Sequence, residues 1–94
     1  MTYIDLINRF WKLHREWEFS SVETKLYFLL LDIANSLAWK CPFQLGNDRL
    51  FINFEEAPNT VRRARLRLAK AGLIAIDVSK KKSERSKYYI CGID

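Results

Sequence analysis

Apolar residues in the first third of the chain recur at every third or fourth position, which is the spacing of one face of an α-helix. Two such rows run through residues 3–17, and they consist of Ile4, Ile7 and Trp11 and of Phe10, Leu13 and Trp17. We therefore predict a first helix over 3–17 with a wide apolar stripe. Such width indicates that the helix is covered on more than one side, by its own domain or by a partner chain.

A second helix is predicted over residues 21–37. Ser20 and Glu23 have the spacing of a capping box, in which the serine oxygen accepts a backbone N–H and the glutamate reaches back to the cap. The middle of the chain then predicts a very short strand at 43–45 and a short helix over 47–54.

The next helix is predicted over residues 58–71. Pro58 suits its first position, because the N–H that proline lacks has no partner there. Gly72 is the typical residue to end it, since glycine adopts the left-handed conformation without strain. Ala57 offers no side-chain cap, which costs the helix about 1 kcal/mol relative to serine or aspartate.

After Gly72 the apolar period changes from helical to alternating, which is typical of β-strands. Strands are predicted over 73–78 and 87–91, with a wholly polar and mostly basic segment between them. The two strands are expected to form an antiparallel hairpin. The sequence thus predicts an α+β fold with about four helices, one short strand and a C-terminal hairpin, in a single domain over 1–94.

Composition narrows the class of protein. The chain is 49% hydrophobic and 29% charged, which is typical of a folded domain rather than a disordered segment. No apolar run approaches the roughly 20 residues of a membrane span, and no secretory signal is evident. Cys41, Cys91 and His14 are too few and too scattered for a disulfide framework or a zinc site. We expect reduced cysteines, a cytoplasmic location, no membrane association and no cofactor.

The placement of charge predicts a polyanionic partner. Residues 1–46 are neutral, whereas residues 57–90 hold ten lysines and arginines against two acids, a net charge of +8. A neutral half joined to a strongly basic half favours a surface that faces nucleic acid. The alternative is that the basic residues only keep a helix face solvated.

The order of the predicted elements is that of a winged helix-turn-helix, in which 47–54 and 58–71 form the helix-turn-helix and the hairpin forms the wing. Pro-Asn-Thr-Val-Arg-Arg-Ala-Arg at 58–65, followed by 68–74, resembles the recognition helix and first wing strand of such proteins. The segments 43–50 and 88–90 are similar to the parts that precede the turn and close the wing.

The chain most closely resembles the amino-terminal domain of DnaD-like and phage replisome organisers, over roughly residues 20–91. This resemblance implies a double-stranded DNA partner, a role in replication initiation or transcription regulation, and contact with replisome proteins. The alternative is a protein-interaction winged helix that serves as a replisome scaffold without specific DNA binding. Binding to RNA is a third possibility.

Candidate DNA contacts follow from the position of each polar residue. On the basic helix, Asn59, Thr60 and Arg63 are expected to meet base edges, because asparagine suits adenine and arginine suits guanine. Phosphate contacts are predicted for the other basic residues of the helix and the wing, which are Arg62, Arg67, Lys70, Lys80, Lys81, Lys82 and Arg85. The alternatives are that Asn59 and Thr60 only stabilise the helix start and that the wing tip is only a solvated loop.

Three further expectations concern the remaining residues. Arg65 falls near the apolar stripe and is expected to pair internally with Glu23 or Asp32. The aromatic residues of the first helix are either core or a homodimer surface, and they are Tyr3, Phe10, Trp11 and Trp17. No catalytic set, phosphate-binding glycine loop or metal cluster is recognisable, so we expect no enzymatic activity.

Overall fold

The computed structural model describes residues 2–78 and 85–92. In chain order its elements are α1 (Tyr3–Trp17), α2 (Ser21–Ser36), β1 (Phe43–Leu45), α3 (Asn47–Phe51), α4 (Pro58–Lys70), β2 (Ile74–Asp77) and β3 (Ser86–Ile90). The three strands form an antiparallel sheet in the order β1-β3-β2. The predicted α+β class is confirmed. No helix in the described part of the chain is long and apolar enough to cross a membrane.

Capping boxes start the first two helices. Ser20 and Glu23 exchange hydrogen bonds at the start of α2 as predicted, with the Ser20 N–H donating to Glu23 Oε1 at 3.1 Å. Thr2 and Asp5 form the same pattern at the start of α1. The hydrogen bond from the Thr2 backbone lowers the pKa of the Asp5 carboxyl. Both helices therefore begin where local side-chain chemistry satisfies otherwise unpaired N–H groups.

The central strand β3 links the sheet to the core. Its side chains alternate, with Ser86, Tyr88 and Ile90 buried and Lys87 and Tyr89 exposed. Such strict alternation is expected for a strand with one face on the core. Tyr88 is paired with Phe43 of β1 on one side and with Ile76 of β2 on the other. Its ring stacks on the Phe43 ring, with 5.8 Å between ring centroids.

Helix α4 packs on α2 and on β2 through its aliphatic face, where Val61, Ala64 and Leu68 are buried. The helix ends just before Gly72, as predicted. The φ of Gly72 is 81°, in the left-handed region that glycine adopts without strain. The Gly72 N–H donates to the Ala69 carbonyl at 3.0 Å and closes the last turn. The inner face of α4 is thus fixed, and this determines which side chains face solvent.

Helix α3 is shorter than predicted, since it ends at Phe51 instead of residue 54. The Asn53 side-chain amide donates to the Arg49 carbonyl at 2.9 Å and so satisfies an acceptor at the helix end. The backbone N–H groups of Asn53 and Phe54 donate to the carbonyls three residues earlier, and these bonds form a tight turn. This turn buries Phe54 in the core and leaves Ile52 outside.

The prediction that Phe10 belongs to a dimer surface is wrong. Phe10 is fully buried in the core of a single chain, where its ring stacks on Phe19 and Tyr27 with centroid distances of 5.0 and 5.1 Å. Its position on the second apolar row of the helix put it inside. Trp11, one residue further on, is exposed.

Replacing Phe10 with alanine is therefore expected to lower the free energy of unfolding by about 3–5 kcal/mol, because it removes a large buried ring and leaves a cavity. Trp11→Ala is the matched control on the same helix, with an expected loss of about 1 kcal/mol. Urea unfolding followed by circular dichroism measures both. Equal losses in the two variants would contradict the placement of α1.

Tyr27 carries a buried hydroxyl with no hydrogen-bond partner among the described residues. Burial raises the pKa of the Tyr27 phenol, and the positive charge of Arg9 acts in the opposite direction without reversing the shift. Because the unfolded chain releases this proton near pH 10, the contribution of Tyr27 to stability is complete below that pH. It declines as the pH rises from about 10 towards the pKa of the folded state.

Tyr27→Phe is expected to flatten this alkaline decline. At neutral pH it should leave the free energy of unfolding unchanged or raise it by about 1 kcal/mol, since the lost hydroxyl has no partner. Chemical unfolding between about pH 8 and pH 11 tests this. An alkaline decline in Tyr27→Phe as steep as that of the original protein would refute the role of Tyr27.

Candidate nucleic-acid interface

One side of α4 is exposed along its whole length. Counting from Asn59, the exposed positions follow the helical spacing of three, four, seven and eleven residues, and they are Asn59, Arg62, Arg63, Leu66 and Lys70. We call this set the α4 stripe. Thr60 is exposed beside its first turn. The structure thus places five of the predicted DNA-contacting residues on or next to one surface.

The first turn of the α4 stripe is ordered by its own side chains. Arg62 Nη1 donates to Asn59 Oδ1 at 3.0 Å, and the Arg62 guanidinium lies over the Phe51 ring at 5.0 Å from its centroid. The contact with Phe51 joins α4 to α3 across the turn. Both polar groups remain at the surface, so each is available to a ligand that displaces their mutual hydrogen bond.

Arg63 and Lys70 are the uncommitted cations of the α4 stripe. Within residues 2–78 and 85–92 neither makes an ion pair or a side-chain hydrogen bond, and the one ion pair found there joins Arg67 to Glu23. Leu66 lies between these two cations along the helix and is 60% exposed. A long aliphatic side chain in that position is available for contact with an apolar group.

The prediction that Arg67 contacts phosphate does not fit its surroundings. Arg67 Nη1 donates to Glu23 Oε1 at 2.7 Å, and Nη2 donates to the Trp17 carbonyl. The guanidinium also lies over the rings of Trp17 and Phe19, at 5.5 and 5.9 Å from their centroids. Arg67 therefore joins α4 to the end of α1 and the start of α2, and its positive charge is already paired.

Arg65 is internal, as predicted, but its predicted partners are wrong. Its side chain is only 5% exposed, and Nη1 donates to Asn47 Oδ1 at 3.1 Å and to the Tyr88 hydroxyl at 2.9 Å. Glu23 pairs with Arg67 instead. No carboxylate among the described residues lies within ion-pair distance of Arg65. This buried cation links α4 to the start of α3 and to the central strand.

The hairpin lies next to the start of α3. Arg85 is exposed, and its side chain lies beside Gly46, where an added Cβ would be in ordinary contact with Arg85 Cγ at 3.8 Å. On the strands, Lys87 is exposed opposite Asp77. The predicted contacts Lys80, Lys81 and Lys82 lie outside the described residues.

Acidic groups lie at the start of α4. Ala57 makes no side-chain cap, and the preceding Glu55 and Glu56 are exposed. Carboxylates at this end are favoured by the helix dipole, yet they repel a phosphate that approaches the first turn. Glu55 and Glu56 therefore weaken the attraction of the first turn of α4 for a phosphate.

The aromatic residues predicted for dimerisation are divided between core and surface. Tyr3 is half-buried and meets the Trp39 ring edge-on at 5.4 Å between centroids, while Trp17 packs under Arg67. Trp11 and Ile4 are the large apolar residues that α1 exposes. A homodimer through α1 stays a prediction, and Trp11 is the exposed residue among the four predicted for it.

Comparison with protein-family models, with curated proteins and with solved structures finds no match for this chain. The arrangement of charge on α4 is therefore the basis for a functional conclusion.

The Arg65 contacts predict measurable energetic coupling. Arg65→Met and Tyr88→Phe are each expected to lower the free energy of unfolding by about 1.5–3 kcal/mol, because each breaks a buried hydrogen bond to a charged group. The double variant should lose less than the sum, since both changes remove the same bond.

Arg63→Met, at the neighbouring exposed arginine, is the control and should change stability by no more than about 0.5 kcal/mol. Urea unfolding of the four variants and the original protein gives the coupling energy directly. Additive losses for Arg65 and Tyr88 would show that the two side chains act independently.

Proposed function

We propose that this chain is a DNA-binding winged-helix protein that presents the α4 stripe to the major groove. The observation that carries the proposal is that Arg63 and Lys70 lie on one exposed helix face without an ionic partner among the described residues. The thirteen residues of α4 give a rod of about 20 Å, which is long enough to place several side chains along the groove.

The arrangement around α4 supports this proposal. A short helix and a tight turn precede α4, and an antiparallel hairpin follows it, with the first strand β1 on the other side of β3. A winged helix uses the same order, with the second helix of the pair in the groove and the hairpin beside it. Arg65 supports both parts, because it bonds α4 to α3 and to the hairpin strand β3.

Within the proposed interface, Asn59, Thr60 and Arg63 face base edges, and Arg62 and Lys70 face phosphates. Arg63 is the strongest candidate for specificity, since a guanidinium binds the O6 and N7 atoms of guanine in a bidentate manner. The wing residues Lys80, Lys81, Lys82 and Arg85 supply further phosphate contacts. The resemblance to replisome organisers favours a role in replication initiation. A role in transcription regulation would use the same DNA-binding surface.

Arg63→Ala is expected to weaken binding to a specific duplex by about 10- to 100-fold, which corresponds to the loss of one base contact. Lys70→Ala should weaken binding to all duplexes by a similar factor and reduce the salt dependence by about one phosphate. Arg15→Ala, at an exposed arginine of α1, is the matched control and should bind as the original protein does.

Fluorescence anisotropy with a labelled duplex at several salt concentrations measures these effects. A Lys80/Lys81/Lys82 triple alanine variant in the same assay tests the wing, and its slope of log affinity against log salt should fall by about 0.9 per lost phosphate contact. Unchanged affinity in both Arg63→Ala and the triple variant would refute the proposed interface. Preferential competition by structured RNA would indicate an RNA ligand instead.

The exposed Trp11 and Ile4 on α1 favour a second candidate function, a protein-interaction module of a replisome without specific DNA binding. Aromatic residues with exposed faces are enriched in protein interfaces. Concentration-dependent assembly that Trp11→Ala abolishes, together with no duplex binding, would support this function over the first.

A further inference from the structure

A groove lies between the end of α1 and the second half of α4. Its volume is about 370 Å³, and its lining residues are Trp17, Arg63, Leu66, Arg67 and Lys70. Trp17 and Leu66 supply apolar surface, while Arg63 and Lys70 supply uncommitted positive charge. The groove is held in shape by the Arg67 guanidinium, which is fixed by Glu23 and lies over Trp17. It therefore suits an apolar side chain that is flanked by carboxylates.

The turn between α3 and α4 has this composition. Ile52 is 84% exposed, and Glu55 and Glu56 are exposed three and four residues later. Neither glutamate makes an ion pair or hydrogen bond in the part of the chain that the structure describes. We call residues 52–56 the acidic turn. The Ile52 side chain matches the apolar part of the groove, and the two carboxylates are opposite in charge to its cations.

The acidic turn is held firmly on the domain. Lys25 Nζ of α2 donates to the Asn53 carbonyl at 2.6 Å and lies over the Phe54 ring at 5.0 Å from its centroid. Phe54 itself is buried in the core. A turn anchored in this way presents Ile52 and the two glutamates at little entropic cost on binding.

A single copy does not bring its own turn and groove together. The acidic turn precedes Pro58, whereas Leu66 and Lys70 lie in the second half of α4. At a rise of 1.5 Å per residue, the helix places Leu66 about 12 Å along its axis from Pro58, where the acidic turn ends. The partner with the matching surface is therefore a second copy of this chain.

We propose that the acidic turn of one copy docks into the groove of a second copy, with Ile52 between Trp17 and Leu66 and with Glu55 and Glu56 near Arg63 and Lys70. The two patches differ, so the contact extends head to tail unless two copies bind each other reciprocally. Its area is small and its charges are exposed, so the association is weak and falls as salt rises.

This contact between copies would also compete with the proposed binding of DNA. The contact itself does not depend on DNA binding. Arg63 and Lys70 belong both to the groove and to the α4 stripe. Duplex DNA and a second copy therefore compete for the same cations, and added duplex is expected to dissociate the assembly. The self-association itself is measured without DNA, so it is tested separately from the proposed function.

Charge reversal provides the test. Glu55→Lys with Glu56→Lys makes one variant, and Arg63→Glu with Lys70→Glu makes the other. Each alone places like charges at the contact and should weaken self-association at least about tenfold. An equimolar mixture restores opposite charges at both possible contacts, so assembly should return. Sedimentation equilibrium from about 10 µM to about 1 mM covers the range in which small interfaces dissociate.

The Ile52 contact has its own control. Ile52→Ala should reduce the mass observed at high concentration, whereas Ile4→Ala, at an exposed isoleucine of α1, should leave it unchanged. Because all six altered residues are exposed, circular dichroism should show an unchanged fold for every variant.

Three results would overturn the proposal: a monomer at all concentrations, assembly that survives charge reversal, or a mixture that fails to reassemble. Loss of assembly in Trp11→Ala with full assembly in both charge variants would place the contact on α1 instead. Duplex binding by the original protein, at concentrations too low for self-association, reports on the proposed function separately.

Discussion

Arg67 joins α4 to α1 and α2 on one flank of the buried aliphatic face of α4. Its guanidinium bonds the Glu23 carboxylate at the start of α2 and the carbonyl of Trp17 at the end of α1, and it covers the aromatic faces there. The Glu23 carboxylate also accepts the N–H of Ser20, the N-cap of α2, so it serves both a helix start and a contact between helices. With Arg67 held on this flank, the residues that face away from the core are those of the α4 stripe.

Arg65 holds the opposite flank of α4. Side chains two residues apart on a helix point about 200° apart, so Arg65 and Arg67 lie on either side of the aliphatic face. Arg65 donates to neutral oxygens of Asn47 and Tyr88 instead of a carboxylate. Its burial is therefore costly in free energy, and the two hydrogen bonds fix the position of its guanidinium. Two of the arginines on α4 thus act in the fold, and the cation density available to a ligand is lower than the basic sequence indicates.

Local signals in the sequence predicted most element boundaries to within one residue. The capping box at Ser20 and Glu23, the left-handed Gly72 and the alternation around Tyr88 each act through neighbouring residues, so a single sequence reveals them. The arginine partners depend on which helices meet in space. A helix repeat indicates that Arg65 and Arg67 border the apolar face, but it does not indicate whether Glu23, Asn47 or Tyr88 lies across from each. The early end of α3 depends in the same way on Phe54 reaching the core.

Some arginines of α4 are paired inside the fold and others are exposed. This division affects the strength and the specificity of the proposed DNA binding. With Arg65 and Arg67 paired internally and Glu55 and Glu56 at its start, α4 offers few cations to phosphates, and counterion release scales with the number of phosphates neutralised. In the proposed DNA interface, Arg63 and Asn59 would therefore select bases, and α4 alone would not hold the duplex strongly. Strong attachment to a duplex then requires charge from elsewhere, and lysines 80–82 of the segment between β2 and β3 are the densest basic run in the sequence. Under the proposed function, base selection by α4 would therefore depend on phosphate attachment through lysines 80–82, because the charge that α4 lacks lies in that part of the sequence.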